Sequence, residues 1–299
     1  MYKKNNFRKA AAILLAMLTL LIGVNYLPVL RSSGETFFQI FRSEAPDISG
    51  RNYVLKKRGG QVLTSKKEEE QIAIASMTKI MTAICVIEAV ENLDQLVEVP
   101  VDIFPEIEEQ GLATAGLFQG EVISYRTLLY AMMLPSGADA VLTAVQAISG
   151  NEQIFADRMN EKAASLGMKR THFSNTTGKD ATDHYSTVAD IMTLLDYALE
   201  NETFYEIFTT LSYQSVSTNL HPEGLPLIST VISRNESLAL DNGRILGGKT
   251  GYTIDAGLCL ASMAEINGEE YLLVLAGCKG DNLTEQFNVI ESRVLYNLV

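Results

Sequence analysis

The sequence is poor in cysteine, poor in histidine and short of positive charge, and each shortage argues against a class of function. Three of its 299 residues are cysteine, Cys85, Cys259 and Cys278, with no metal-ligand or redox spacing among them. One thiol must stay unpaired. Cys85 falls in an apolar stretch and reads as a small buried hydrophobe, whereas Cys259 and Cys278 fall on paired strands where a disulfide is compatible but not required. The histidines, His172, His184 and His221, have no His-Glu-x-x-His spacing and no carboxylate at a metal-ligand offset, which argues against a zinc peptidase and leaves them as capping or loop residues. No metal and no cofactor are expected. Lys and Arg number 24 against 36 Asp and Glu, a formal charge of −12. With no basic stripe to neutralise phosphates, the chain is not expected to bind nucleic acid, nor to adhere broadly to an anionic membrane. Internal repeats and low-complexity tracts are also missing.

What is present begins with a membrane signal. Lys3, Lys4, Arg8 and Lys9 precede an apolar stretch over residues 10–30. As a helix it would span about 31 Å, close to the thickness of a bilayer core. The basic flank predicts a cytoplasmic N-terminus and an extracytoplasmic remainder, at the cell membrane. A cleaved signal peptide is the competing reading, but no small-x-small cleavage site follows, so an uncleaved anchor is favoured. Residues 31–50 then read as a spacer and residues 51–299 as the catalytic domain, long enough to bury a large core.

Within that domain Ser76, Met77, Thr78 and Lys79 open an apolar helix. A serine and a lysine three apart share one helical face, which brings a nucleophile within reach of a base. At a helix start the positive end of the dipole opposes a protonated Lys79 and favours an oxyanion beside Ser76. Alone, Ser-x-x-Lys is weak, since about one match arises by chance in a chain of this length. Two further elements strengthen it. Ser136 follows the apolar run ending in Leu134 and Pro135 and precedes a helix, on a loop where it can point into a cleft. Lys249, Thr250 and Gly251 sit at the start of a hairpin-like region, offering a substrate backbone a cation, a hydroxyl and a residue without a side chain. Finding all three elements in order is rare by chance.

At these residues the chain resembles the serine-type D-alanyl-D-alanine carboxypeptidases, low-molecular-mass penicillin-binding proteins of the peptidase S11 family in the β-lactamase-like superfamily. The resemblance extends from about Asn52 to the C-terminus and takes in Leu166-Gly167-Met168, Thr171 to Asn175, His184 to Thr187 and Gly248 to Thr253. It implies that Ser76 attacks the penultimate D-alanine of a peptidoglycan stem peptide ending in D-Ala-D-Ala, with Lys79 as base and Ser136, bonded towards Lys79 and Lys249, as proton relay. It implies an oxyanion hole from the N–H groups of Ser76 and Tyr252, recognition of the terminal carboxylate by Lys249, Thr250 and Arg234, and covalent inhibition by β-lactams. One departure stands out. The family's second motif usually reads Ser-Gly-Asn, and here Ala138 takes the asparagine's place, with Asp139 next to it. If one amide clamp is missing, Ala138→Asn is expected to raise turnover.

Two rival readings follow from the same residues. A catalytically weak or silent penicillin-binding scaffold is motivated by Ala138. A class A β-lactamase shares two motifs, but its deacylating glutamate has no counterpart between Lys162 and Leu199.

The pattern of segments predicts α+β. Helices are expected over residues 76–91, 124–134, 138–148, 152–166, 187–199 and 282–298, with Ser186 capping the fifth, and strands at both ends of the chain. The resemblance implies a β-lactamase/transpeptidase-like fold, with a five-stranded antiparallel sheet flanked by helices, a helical subdomain, and the site at their junction.

Overall fold

Strands from both ends of the chain meet in one sheet, as the sequence pattern requires. The computed structural model describes residues 46–234 and 236–299. The apolar segment over residues 10–30 and most of the spacer lie outside the described residues. A hairpin of β1 (Asn52–Lys57) and β2 (Val62–Lys66) leads into a 3-10 turn, Ala75–Met77, and then α1 (Thr78–Ala89). Next come β3 (Leu96–Glu98), a second 3-10 turn (Val101–Ile103), α2 (Phe104–Glu109), β4 (Val122–Ser124), α3 (Tyr125–Met133), α4 (Ala138–Ser149) and α5 (Glu152–Ser165). A loop then joins α6 (Val188–Ala198), α7 (Glu202–Thr209), β5 (Ser212–Gln214), β6 (Pro226–Ile228) and β7 (Ala239–Leu240). The chain closes with the long strands β8 (Gly243–Thr253), β9 (Gly257–Ile266) and β10 (Glu269–Cys278), and with α8 (Phe287–Tyr296).

The main sheet runs β2-β1-β10-β9-β8-β7, antiparallel throughout. It is the expected five-stranded sheet with one two-residue strand, β7, added at its edge. Its central strands are buried on both faces, which is why β9 and β10 read as near-continuous apolar runs, while the edge strands β2 and β7 are largely exposed. Val54, Ala261, Met263, Leu272 and Val274 face the main helical core. Their neighbours Tyr53, Leu55, Ala264, Leu273 and Leu275 point the other way, against Leu295 and Tyr296 of α8. α1 runs through the centre of the helical core, buried without interruption from Thr78 to Val86.

Local chemistry corrects several sequence-based expectations. Thr187, not Ser186, caps α6, because its hydroxyl accepts from the Asp190 N–H, whereas Ser186 pairs with the Thr171 hydroxyl. The last helix begins at Phe287 rather than 282, since Asp281 gathers the N–H groups of Leu283 and Thr284 into a turn first. α7 was not anticipated, although Asn201 caps it and Phe204, Ile207 and Phe208 give it a buried face at helical spacing. Cys259 and Cys278 are free, buried thiols, so no disulfide links the C-terminal strands.

Ile48–Val299 forms one compact unit. Its first residues are tied down by Glu291 of α8. One carboxylate oxygen accepts from the Ser49 N–H and hydroxyl, and the other from the Gly50 N–H. Hydrogen bonds to a charged acceptor are worth about 1.5–3 kcal/mol each and are not additive. Glu291→Ala should therefore lower stability by about 3 kcal/mol, which in a domain of this size lowers the thermal midpoint by about 6–12 °C. Calorimetry on the variant checks it.

Candidate active site

The 3-10 turn before α1 places Ser76 where the helical layer meets β8. Lys79, in the first turn of α1, donates from Nζ to Ser76 Oγ over 3.0 Å and to the Thr177 carbonyl oxygen over 2.6 Å. The three-residue spacing thus yields the contact it predicts. Lys79 is only 3 % exposed. Burial pushes its amine down to about 7, with the Asp139 carboxylate pulling in the opposite direction.

Lys249 is fully buried on β8 and donates to Ser136 Oγ over 2.9 Å and to the Thr250 carbonyl oxygen over 2.8 Å. Burial, and then the neighbouring Lys79, push its amine well below the ordinary lysine range. Ser136 joins α3 to α4 in a left-handed conformation, φ 68°, which turns its hydroxyl towards Lys249. Its expected bond towards Lys79 is absent, so the two serines and the two lysines form two pairs, Ser76 with Lys79 and Ser136 with Lys249. The Thr250 hydroxyl meets that of Thr230 at 2.5 Å. Gly251 lies so near the nucleophile's turn that a Cβ there would sit 3.0 Å from the Ser76 nitrogen, and a side chain would push β8 away from it.

Ser76, Lys79, Ser136, Thr230, Thr250 and Gly251 line one cleft of about 950 Å³, together with Tyr252, Gly178, Lys179, Asp180 and Arg234, and Lys249 lies behind its wall, bonded to Ser136. Arg234 is at its edge, with its guanidinium on the carbonyl oxygens of Asn282 and Leu283. All eight candidate residues are therefore brought together, Arg234 by backbone acceptors rather than by an acidic partner. Among the described residues no cluster of His, Cys, Asp or Glu has a metal-binding arrangement.

Three supporting groups escaped sequence reasoning. Thr177 holds Lys79 through a backbone carbonyl, which leaves no mark on residue type. Thr230, the partner of Thr250, lies in an irregular segment far from any motif. The Asn175 side-chain oxygen gathers the N–H groups of Thr177, Gly178 and Lys179, which is what presents the Thr177 carbonyl. Gly178 fits only as glycine, with φ 90° and a Cβ that would lie 2.0 Å from the Ala75 oxygen.

Asp139 does not take the role of the absent asparagine. Its buried carboxylate accepts from the N–H groups of Ala115, Gly116, Leu117 and Ala140, fixing the loop ahead of β4. Ala138 is 1 % exposed, packs in the apolar core and is not among the cleft-lining residues. With no room beside it, an added amide must displace packed neighbours. The burial reverses the sequence-based expectation. Ala138→Asn should lower kcat/KM on a D-Ala-D-Ala peptide by about tenfold at unchanged circular dichroism, since small misplacements of reacting groups are costly.

Comparison with known proteins agrees with this geometry. The chain is 29% identical over 259 residues to the D-alanyl-D-alanine carboxypeptidase DacF of Bacillus subtilis, covering 87% of this chain and 65% of that protein. It is 29% identical over 243 residues to DacD of Escherichia coli, covering 79% of this chain and 60% of that one. It thus spans less than two thirds of the length of both relatives. The crystal structure of the Streptomyces K15 DD-transpeptidase superposes with a TM-score of 0.72 at 26% identity, over 86% of this chain and 99% of that one. The peptidase S11 description, D-alanyl-D-alanine carboxypeptidase, matches residues 39–280, a stretch that contains Ser76, Lys79, Ser136 and Lys249. The chain belongs to the peptidase S11 family.

Proposed function

We propose that this chain is a serine-type D-alanyl-D-alanine carboxypeptidase that removes the terminal D-alanine from peptidoglycan stem pentapeptides. The observation that carries the reading is the hydrogen bond from the buried Lys79 amine to Ser76 Oγ, at the floor of an open cleft. An amine brought down to about 7 is half neutral near physiological pH and is able to take the hydroxyl proton as the oxygen attacks.

In this mechanism the Ser76 oxygen forms a bond to the carbonyl carbon of the penultimate D-alanine while its proton passes to Lys79. The backbone N–H groups of Ser76 and Tyr252 receive the developing oxyanion. Collapse breaks the C–N bond as the departing amine of the terminal D-alanine takes the Ser136 hydroxyl proton, which the Lys249 ammonium bonded to Ser136 replaces; Lys79 keeps the proton of Ser76 until deacylation returns it. Lys249, Thr250 and Arg234 hold that residue's carboxylate. A carboxylate entering beside the Lys249 amine supplies the missing counter-charge and favours its ammonium form. Water then cleaves the acyl-enzyme and frees Ser76. A β-lactam offers the same cleft a strained amide and a carboxylate, and so stops at the acyl-enzyme. The basic flank and apolar residues 10–30 support a membrane-held protein with this unit on the extracytoplasmic side.

Mass spectrometry of a pentapeptide ending in D-Ala-D-Ala, incubated with the protein, should show loss of one alanine. An intact peptide beside a penicillin-labelled protein would point to the scaffold reading, and joining of two peptides to the transferase activity for which the Streptomyces K15 protein is named. Peptide mapping should place the penicillin adduct on Ser76, and an adduct elsewhere would defeat the assignment. Lys79→Ala should slow acylation by about 10²–10⁴-fold without unfolding the chain. The pH dependence has a fixed sign, because the protonated amine cannot accept a proton. Acylation measured by stopped flow should fall in acid, rise through about pH 7 and level off above it.

A further inference from the structure

Thr78 and His184 stand behind the nucleophile, outside the cleft walls, and no step above employs them. Both are buried. Thr78 Oγ1 lies 2.9 Å from the Ala75 carbonyl oxygen and 2.8 Å from His184 Nε2, while the Ser174 N–H donates to His184 Nδ1 over 3.2 Å. Together these contacts assign the protons. A neutral imidazole carries one N–H, and because Nδ1 accepts from Ser174 that hydrogen resides on Nε2. The ring therefore donates to the Thr78 oxygen, and the single hydroxyl hydrogen of Thr78 goes on to the Ala75 carbonyl. The bonds run in one direction, from the Ser174 amide to Ala75. Burial favours the neutral ring, pushing His184 down to about 4, with Asp183 and Asp180 pulling upward and His172 and Lys179 adding to the depression.

Ala75 is the residue that needs holding. It adopts a left-handed conformation, φ 47°, which is unfavourable for an L residue with a side chain, and it directly precedes Ser76. Its carbonyl oxygen is clasped between the Thr78 hydroxyl and the bare face of Gly178. Gly178 belongs to the loop that also carries Ser174 and the Thr177 carbonyl bound to Lys79. His184 thereby links the loop that places the base to the turn that places the nucleophile.

We propose that His184, acting through the Thr78 hydroxyl, is a positioning residue for acylation, holding the left-handed Ala75 turn that aims Ser76 Oγ at Lys79 Nζ. This rests on the reading of Ser76 as the acylated nucleophile. Stopped-flow acylation by a fluorescent penicillin, using the full chain in detergent, separates the non-covalent Kd from the acylation rate constant. Thr78→Val keeps the shape and removes the hydroxyl, and should lower the rate constant about tenfold at unchanged Kd, the effect of losing one buried hydrogen bond. Thr78→Ser should restore the rate. His184→Gln, which keeps an N–H for Thr78, should lose less than His184→Phe, which keeps none. Nitrogen-15 NMR of histidine-labelled wild-type protein should show His184 protonated at Nε2 and not at Nδ1, and this readout stands even if Thr78→Val fails to fold. A folded Thr78→Val protein acylated at the wild-type rate, or a ring proton on Nδ1, overturns the proposal. A wild-type protein that takes no label at Ser76 instead overturns the functional reading and, with it, the role assigned to His184.

Discussion

Two lysine amines kept out of water, with no carboxylate paired to either among the described residues, are the constraint on which the rest of this structure depends. An isolated ammonium in a low-dielectric interior is so costly that the group shifts its pKa and sheds its proton instead. Lys79 and Lys249 are both in that position, and Lys79 further disfavours a charge on Lys249. A base with an available lone pair and an amine awaiting an anion both arise from the same physical cause, desolvation. Asp139 bears on Lys79 from a distance, with its own oxygens occupied by backbone N–H groups.

Keeping those amines dry requires the surrounding backbone to approach closely, and the chain meets this with small residues and unusual dihedrals. Gly251 lets β8 lie against the Ser76 turn, Gly178 lets the Asn175 loop lie against Ala75, and Gly137 leaves room for the Asp139 carboxylate next to Ala115. Ala75 and Ser136 both take left-handed conformations without being glycine, and each lies at or directly before a cleft hydroxyl bonded to a buried lysine. Strain at such positions persists only where the surroundings over-determine it. Here those surroundings are a fully buried central helix, a sheet covered on both faces and a set of backbone hydrogen bonds gathered by Asn175 and Asp139.

The order of the sheet explains why the site draws on nearly the whole of the described chain. β1 pairs with β10, and Glu291 near the C-terminus gathers the backbone at Ser49 and Gly50. β8, the wall carrying Lys249, pairs with β9 and β9 with β10 as a meander, and the Ser76 turn from the other end of the domain comes to lie against it. Loop closure must precede those contacts, which makes the topology a slow one to assemble.

Much of this was legible from residues alone. Ser76 and Lys79 meet because a three-residue spacing on a helix leaves little freedom, and the apolar runs of β9 and β10 on either side of Gly268 read as strands. Lys249, Thr250 and Gly251 were recognisable as a constellation, and α+β followed from strands at both ends with helices between. What stayed hidden depended on groups without side-chain identity or on neighbours far away in the chain. The Thr177 carbonyl could be any residue's, Thr230 meets Thr250 only through tertiary packing, and Asp139 turned out to serve a loop 22–24 residues earlier rather than the cleft. Sequence by itself determined which chemical groups are present and which pairs share a helix turn, because that geometry is set by short-range bonds. Only the tertiary structure decided how dry each amine is and whether Ala138 faces substrate or core, because burial is a property of everything packed around a residue and of no residue alone.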